Sequence, residues 1–329
     1  MPLTPRKQKP RFRRVETISV LPQSRDLQIL YHIHKHRFLT SEHIAALVPG
    51  GEQGIRRRLY KLFHGGYLDR PREQIRPFRQ GGDPYVYGIG RKGYEWLSRT
   101  NSIARSKSDW TGKNREVKQR YIRHTLLVAH FMVCLELACR RDRQISLLEP
   151  AEILAHIAGK STGLENSFGW AIETVRKTKN GSRKIRLTVT PDKIFGLYFL
   201  NRPPARARAI YLLEADRATM PIKRSGLYVS SYRKKMICYW ESWRQNLYEK
   251  MFGCKAVRIL TLTKPAGSVN APERIRHMIE ACKEEDRQGR GSRMFLFTQA
   301  QDFSLNNPDR VLKKVWQNGR DKDLVSLME

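Results

Sequence analysis

The side chains with the clearest capacity for chemistry are acidic. Asp192 follows Thr190 and Pro191 between two apolar runs, and Glu214, Ala215 and Asp216 close the run Ile210-Tyr211-Leu212-Leu213. Both runs read as short β-strands, because they are brief, apolar and bounded by turn residues. If those strands pair, Asp192 and Glu214 lie at neighbouring strand ends and can hold one divalent cation between them. A plain structural reading stays open beside this one. Asp192 then serves as a turn residue after proline, and Glu214 pairs with Arg217 at a sheet edge.

The two carboxylates resemble the acidic pair of the PD-(D/E)xK nuclease fold. That resemblance implies Mg²⁺ or Mn²⁺ held by Asp192 and Glu214, and metal-dependent cleavage or nicking of DNA. It also implies a lysine beside the second carboxylate, but Asp216 occupies that position here. Lys234 or Lys235, one helix further on, are the displaced candidates, with Lys193 and Lys223 behind them. The catalytic set to look for is therefore Asp192, Glu214, Asp216, Lys234 and Lys235. A Gly-x-x-x-x-Gly-Lys-Ser/Thr loop is missing from the sequence, which argues against a P-loop ATPase.

These residues need elements to position them. Apolar residues at helical spacing mark Tyr121 to Arg141, Ser230 to Lys250 and Ala271 to Ala281 as helices. Short β-type runs fall at Ile145 to Leu148, Ile185 to Thr190, Ile194 to Leu200, Ala209 to Glu214, Val257 to Thr263 and Met294 to Thr298. Strands joined in sequence, followed by strands alternating with helices, predict an α/β domain with a mixed sheet over residues 121–329.

The N-terminal third has a different pattern. Helices are expected at Asp26 to His36, after the cap at Thr40 or Ser41, and at Glu52 to His64. In the last of these, Ile55, Leu59, Leu62 and Phe63 form the apolar stripe. Gln53, Arg57 and Lys61 fall on the opposite face, flanked by Arg56, Arg58 and Tyr60. Such a face suits the major groove, where Gln pairs with adenine and Arg with guanine. Strands at Gly65 to Leu68 and Tyr85 to Ile89 enclose a polar loop whose Arg72, Arg76 and Arg79 could reach backbone or minor groove, and Arg91 to Leu97 starts a closing helix. The order resembles winged helix-turn-helix DNA-binding domains. The fold class expected for the whole chain is therefore α+β, a winged helix over 23–100 and a restriction-endonuclease-like domain over 121–329. Residues 1–22 read as a basic flexible arm and 101–120 as a linker. His32 and His36 share a helix face near His34, but alone they fall short of a zinc ligand set.

Bulk properties favour a polyanionic partner. The chain has 329 residues and carries 63 Lys and Arg against 31 Asp and Glu, a formal charge of +32. The first 100 residues hold 20 basic and 8 acidic side chains, so most of the excess lies beyond them. A field of this sign attracts nucleic acid. The five scattered cysteines lack any Cys-x-x-Cys pair and read as reduced thiols. The basic N-terminus has no apolar run behind it, and the stretch Thr125 to Cys139 carries His130 and Glu136, so neither a secretory signal nor a membrane span is expected. The expected location is the cytoplasm.

Several motifs together resemble the replication-relaxation family of plasmids and integrative elements. They are Pro191-Asp192-Lys193-Ile194-Phe195-Gly196, the Glu-x-Asp-Arg-x-Thr pattern from Glu214 to Thr219, and Ser231-Tyr232-Arg233-Lys234-Lys235-Met236 with Tyr239. The resemblance implies a double-stranded DNA-binding protein of a mobile element, acting in plasmid replication, relaxation or transfer. Its expected partners are duplex DNA, relaxase or replication proteins of the element, and a second copy of the chain. A targeted endonuclease or nickase and a transcriptional regulator are the alternatives.

Overall fold

The fold is taken from a computed structural model that describes residues 12–14, 18–74, 84–100, 102–103, 109–155, 169–178, 181–265, 267 and 269–329. The chain divides into two compact units, Met1–Val133 and Cys134–Glu329.

The first unit begins with α1 (Ser24–His36), followed by β1 (Leu39–Thr40), α2 (Ser41–Leu47) and α3 (Glu52–His64). Thr40 caps α2 by accepting from the His43 amide at 3.2 Å, as its side-chain oxygen predicts. Gly50 ends the α2 segment at φ 131°, a backbone state that L side chains rarely adopt. The apolar stripes of the three helices meet in a dry core that includes Ile29, Ile33, Ile44, Ile55 and Leu59. After α3 come β2 (Leu68–Asp69), β3 (Val86–Ile89) and α4 (Arg91–Arg99). The strands form a small antiparallel sheet in the order β1-β3-β2.

Residues 101–120, expected to be a linker, contain a further helix, α5 (Trp110–Glu116). Trp110 packs against His34 and Tyr94, and the buried Asn114 amide donates to Asp69 at 3.0 Å and to the Ile89 carbonyl at 2.8 Å. A single tryptophan and a single asparagine thus anchor a segment whose average composition is polar. The expected flexible arm is also tied down at one point. Arg14 donates to the carbonyls of Phe63 at 3.0 Å and Leu68 at 3.1 Å, and it pairs with Asp69.

The helix α6 (Gln119–Arg141) has 23 residues and crosses the division between the units. By length and composition it could cross a membrane, but 56% of its most apolar window is buried inside the protein.

The second unit continues with β4 (Ile145–Leu148), α7 (Pro150–Ala155), β5 (Trp170–Thr178), β6 (Gly181–Val189), β7 (Lys193–Phe199) and β8 (Arg208–Asp216). Then come α8 (Tyr232–Arg244), α9 (Leu247–Phe252), β9 (Arg258–Thr263), α10 (Ala271–Glu285), β10 (Ser292–Gln299), β11 (Trp316–Gly319) and β12 (Leu324–Val325). Seven strands form one mixed sheet in the order β12-β11-β10-β9-β8-β7-β4. β7 is antiparallel to both β4 and β8, whereas β8, β9 and β10 run parallel. The parallel pairs are the ones joined through α8 and α10, as crossover connections require. The chain is therefore α+β, as its pattern of runs predicts. The expected long helix from Ser230 to Lys250 is instead two, because Asn246 turns at φ 55° between α8 and α9.

β5 and β6 stand apart as a two-stranded hairpin. Its inner row, Ile172, Ile185, Leu187 and Val189, joins Met236, Tyr239 and Trp240 of α8 in the main core.

Candidate active site and nucleic-acid interface

β8 lies in the middle of the sheet, and its alternation decides what Glu214 and Asp216 face. Ile210, Leu212, Glu214 and Asp216 share one side of the strand, and Ile210 and Leu212 belong to the core beneath α8. The apolar row thus ends in two acids under a helix. Glu214 is 3% exposed and Asp216 7%.

Pairing with β7 brings Asp192 alongside. The Asp192 amide donates to the Leu213 carbonyl at 2.9 Å, and its Oδ2 accepts from the Ala215 amide at 2.8 Å. Asp192 therefore sits at the strand end next to Glu214, as the two apolar runs predict. From above, Lys235 Nζ pairs with Glu214 Oε2 and the Tyr239 hydroxyl donates to Glu214 Oε1. Lys235 and Tyr239 are four residues apart and share a helix face. Ser231 fixes the start of that helix by accepting from the Lys234 amide at 3.2 Å.

The structure thus brings together Asp192, Glu214 and Lys235. It separates the other candidates. Lys234 is one helix position away, and Lys235 is the one that contacts Glu214. Lys193 lies 3.7 Å from Glu149, and Lys223 lies 2.6 Å from Glu284. Asp216 is held in a two-pronged pair by the buried Arg274, with contacts of 2.5 and 2.7 Å, and Arg274 also donates to the Met220 carbonyl at 2.7 Å. Its carboxylate is committed to fixing the turn after β8. The alternative of a Glu214–Arg217 pair at a sheet edge does not hold, since β8 is central and Glu214 is paired with Lys235. Tyr239 and Arg274 are the residues that sequence reasoning gave no role. The spacing of Lys235 and Tyr239 carried a usable signal for the first; nothing local marked the second.

Burial is the largest influence on Glu214 and pushes its carboxyl up to about 7, against the opposing pull of Lys235; Asp192 adds to the rise. Burial alone would depress Lys235, but the charges of Glu214 and Asp192 outweigh it and raise the ammonium. The cluster therefore keeps a proton near neutrality more readily than an isolated carboxylate does. Between the ordinary carboxylate value of 4.5 and about 7, the folded chain holds a proton that the unfolded chain has released. In that window the stabilising contribution of Glu214 falls as pH rises. Lys235 does not alter the sign, because its raised value affects stability only in the alkaline range. Urea midpoints of metal-free protein should fall across the window more steeply for wild type than for Glu214→Gln. Parallel slopes would contradict the assignment.

Carboxylate oxygens on adjacent strands are the donor type that Mg²⁺ and Mn²⁺ select, and such ions commonly use one or two protein carboxylates with water completing the shell. Asp192 and Glu214 supply that donor type, with both Glu214 oxygens engaged by Lys235 and Tyr239. Thiol chemistry does not fit: burial pushes Cys134, Cys139, Cys238 and Cys282 up to about 12, far from the reactive thiolate range.

In the first unit, α3 presents Gln53, Arg56, Arg57 and Lys61 to solvent. These four, with Ile18 and Tyr60, line one groove. Arg56 also makes an i,i+4 pair with Glu52 at 2.5 Å. Arg58 turns inward. Its Nε donates to Asp26 at 2.6 Å and its guanidinium also reaches the Leu21 carbonyl at 2.7 Å, so it is an internal brace and not part of the open face. Arg72 is exposed in a short 3-10 turn, Arg72–Gln74, while Arg76 and Arg79 lie outside the described residues. Gln74 pins the base of that loop through both the amide and the carbonyl of Val86, at 2.8 and 3.0 Å. His34 packs against Tyr94 and Trp110, apart from His32 and His36, which stack on one another.

A family model described as replication-relaxation matches residues 30–252, which take in the α3 face, Asp192, Glu214 and Lys235. The chain belongs to the replication-relaxation family. No curated protein and no solved structure matches it. The replication-relaxation match ends at residue 252, so β9, α10 and the last three strands, including Arg274, lie beyond it.

Proposed function

We propose that this replication-relaxation protein recognises duplex DNA of a plasmid or mobile element, with α3 as the recognition helix of a winged helix-turn-helix. The observation that carries the reading is the exposed row Gln53, Arg56, Arg57 and Lys61, set opposite a buried apolar stripe in a chain of charge +32. Three helices, a small antiparallel sheet and a closing helix support the winged form. Gel-shift titrations with an origin-bearing fragment should show affinity falling steeply with salt, as counterion release requires. Arg57→Ala should lose roughly 1 to 3 kcal/mol of discrimination against the wrong base. Salt-insensitive binding, or footprints confined to promoters, would overturn the assignment, the latter in favour of a transcriptional regulator. The expected location, with the plasmid in the cytoplasm, follows from the same reading.

A second reading adds strand cleavage by the second unit, and the Lys235–Glu214 contact favours it. The order α6, β4, β7, β8, α8, β9, with the first three of those strands antiparallel and the fourth parallel to its neighbour, supports a PD-(D/E)xK-type core. Asp192 and Glu214 would hold Mg²⁺ or Mn²⁺, which when bound supplies Lewis-acid activation of water and stabilises charge on phosphate. Lys235 holds Glu214 in place and puts a positive charge beside the scissile region. Tyr239 fixes the other carboxylate oxygen.

A further inference from the structure

The hairpin β5–β6 and the loop from 217 to 231 are the two segments that lead directly into the acidic cluster. β6 ends three residues before Asp192, and the loop runs from Asp216 to the start of the helix that carries Lys235. Both are strongly basic. Residues 170–189 hold six basic side chains and one acidic, and residues 217–231 hold three basic and none acidic. The inner row of β6 is buried at Ile185, Leu187 and Val189, but two positions earlier on the same side Arg183 is exposed. There the hairpin has run past the core that supports it. At that overhang the Arg183 guanidinium lies 5.8 Å from the centre of the Tyr228 ring. Tyr228 is 65% exposed and its neighbour Val229 51%.

We propose that Arg183 and Tyr228 form a stacking platform for an unpaired DNA strand, the ring receiving a base and the arginine the adjoining phosphate. An aromatic ring held open to water beside a cation gains little by itself, whereas a base laid on it contributes stacking whatever its sequence. Duplex DNA cannot supply that partner, because the faces of its bases are already stacked on each other. The occupant is therefore a single strand of the kind exposed when an origin opens or a nick frays. This goes beyond the DNA-binding reading above, sharing with it only that the partner is DNA, and it uses a different surface from α3.

The test measures binding of the full chain to a fluorescent oligothymidylate of about 12 nucleotides, within the span such sites take, and in parallel to a duplex. Tyr228→Ala should weaken oligothymidylate binding about tenfold. Tyr228→Phe should keep it, and Arg183→Ala should weaken it and flatten its salt dependence. Duplex binding should be unchanged by Tyr228→Ala. Equal oligothymidylate affinity for wild type and Tyr228→Ala would overturn the platform, as would equal losses on single and double strands. Arg57→Ala with Lys61→Ala separates the two readings: it should reduce duplex binding and leave oligothymidylate binding intact. Loss of both to the same extent would overturn a distinct single-strand site. If the duplex is never bound while Tyr228→Ala still weakens the oligothymidylate complex, the α3 reading fails and the platform stands.

Discussion

On the proposed nuclease reading, Lys235→Ala should reduce metal-dependent nicking of supercoiled plasmid by about a hundredfold to a thousandfold, the usual cost of losing one well-placed electrostatic group at a phosphate or oxyanion, while Lys234→Ala should leave it within a few-fold of wild type. Two adjacent lysines of the same chemistry differ here only in direction. Lys235 contacts Glu214 and feels the charge of Asp192. Lys234 points elsewhere on the same turn, roughly 100° away around the helix. A general effect of positive charge on DNA affinity would make the two substitutions alike, so the contrast isolates the position. Asp192→Ala combined with Glu214→Ala should abolish the nicking altogether. Cleavage that survives the double substitution would come from a contaminant or another site, and the nuclease reading would then be lost. Removing Lys235 also leaves Glu214 buried without its cation. Because burial already raises that carboxyl to about 7, the variant can keep a proton there instead of unfolding, and its melting curve should stay close to that of wild type below neutrality.

That contrast also marks where sequence reasoning reaches its limit. The pairing of Asp192 with Glu214 was legible because strand alternation has a period of two, and two short apolar runs separated by a turn have few ways to pair. Lys234 and Lys235 came forward, ahead of Lys193 and Lys223, as displaced lysines on the next helix, and nothing local chose between the two. The roles of Asp216 and Arg274 were not legible. They are 58 residues apart in sequence, and what joins them is the passage of the chain through β9 and back along α10. The same holds for the hairpin. Ile185 to Thr190 reads as a strand, but Trp170–Thr178 carries charges through its length and pairs with β6 alone, so hydrophobic periodicity gave it little weight. In the first unit the wheel of α3 was right about the apolar stripe and misleading about one flank. A helical wheel fixes angles but not neighbours, and Arg58 stands where Asp26 comes to meet it.

Arg58→Ala should destabilise the first unit by about 3 to 5 kcal/mol, the cost of leaving a buried charge without its partner, and Asp26→Ala should do the same. The pair is enclosed, with the Arg58 side chain 8% exposed and Asp26 fully buried. Asp26 is tied further to the start of α1, where its Oδ2 accepts the Gln23 amide at 2.8 Å. Arg58 also holds the Leu21 carbonyl, so it joins α1, α3 and the segment leading into α1 at one point. Arg57, its neighbour in sequence, is exposed, and Arg57→Ala should move the melting temperature little. Both variants should bind duplex DNA poorly at physiological temperature, and for different reasons. Arg57→Ala loses a contact to the nucleic acid and stays folded, whereas Arg58→Ala loses the platform that presents α3. Measuring binding at low temperature separates them: as the fold recovers, Arg58→Ala should regain affinity and Arg57→Ala should not. An Arg58→Ala protein that melts like wild type yet fails to bind would show that Arg58 contacts DNA after all. The double substitution Asp26→Leu with Arg58→Met, which replaces the pair by apolar side chains, should recover much of the lost stability, because a buried ion pair often adds little beyond what well-packed hydrophobic residues supply.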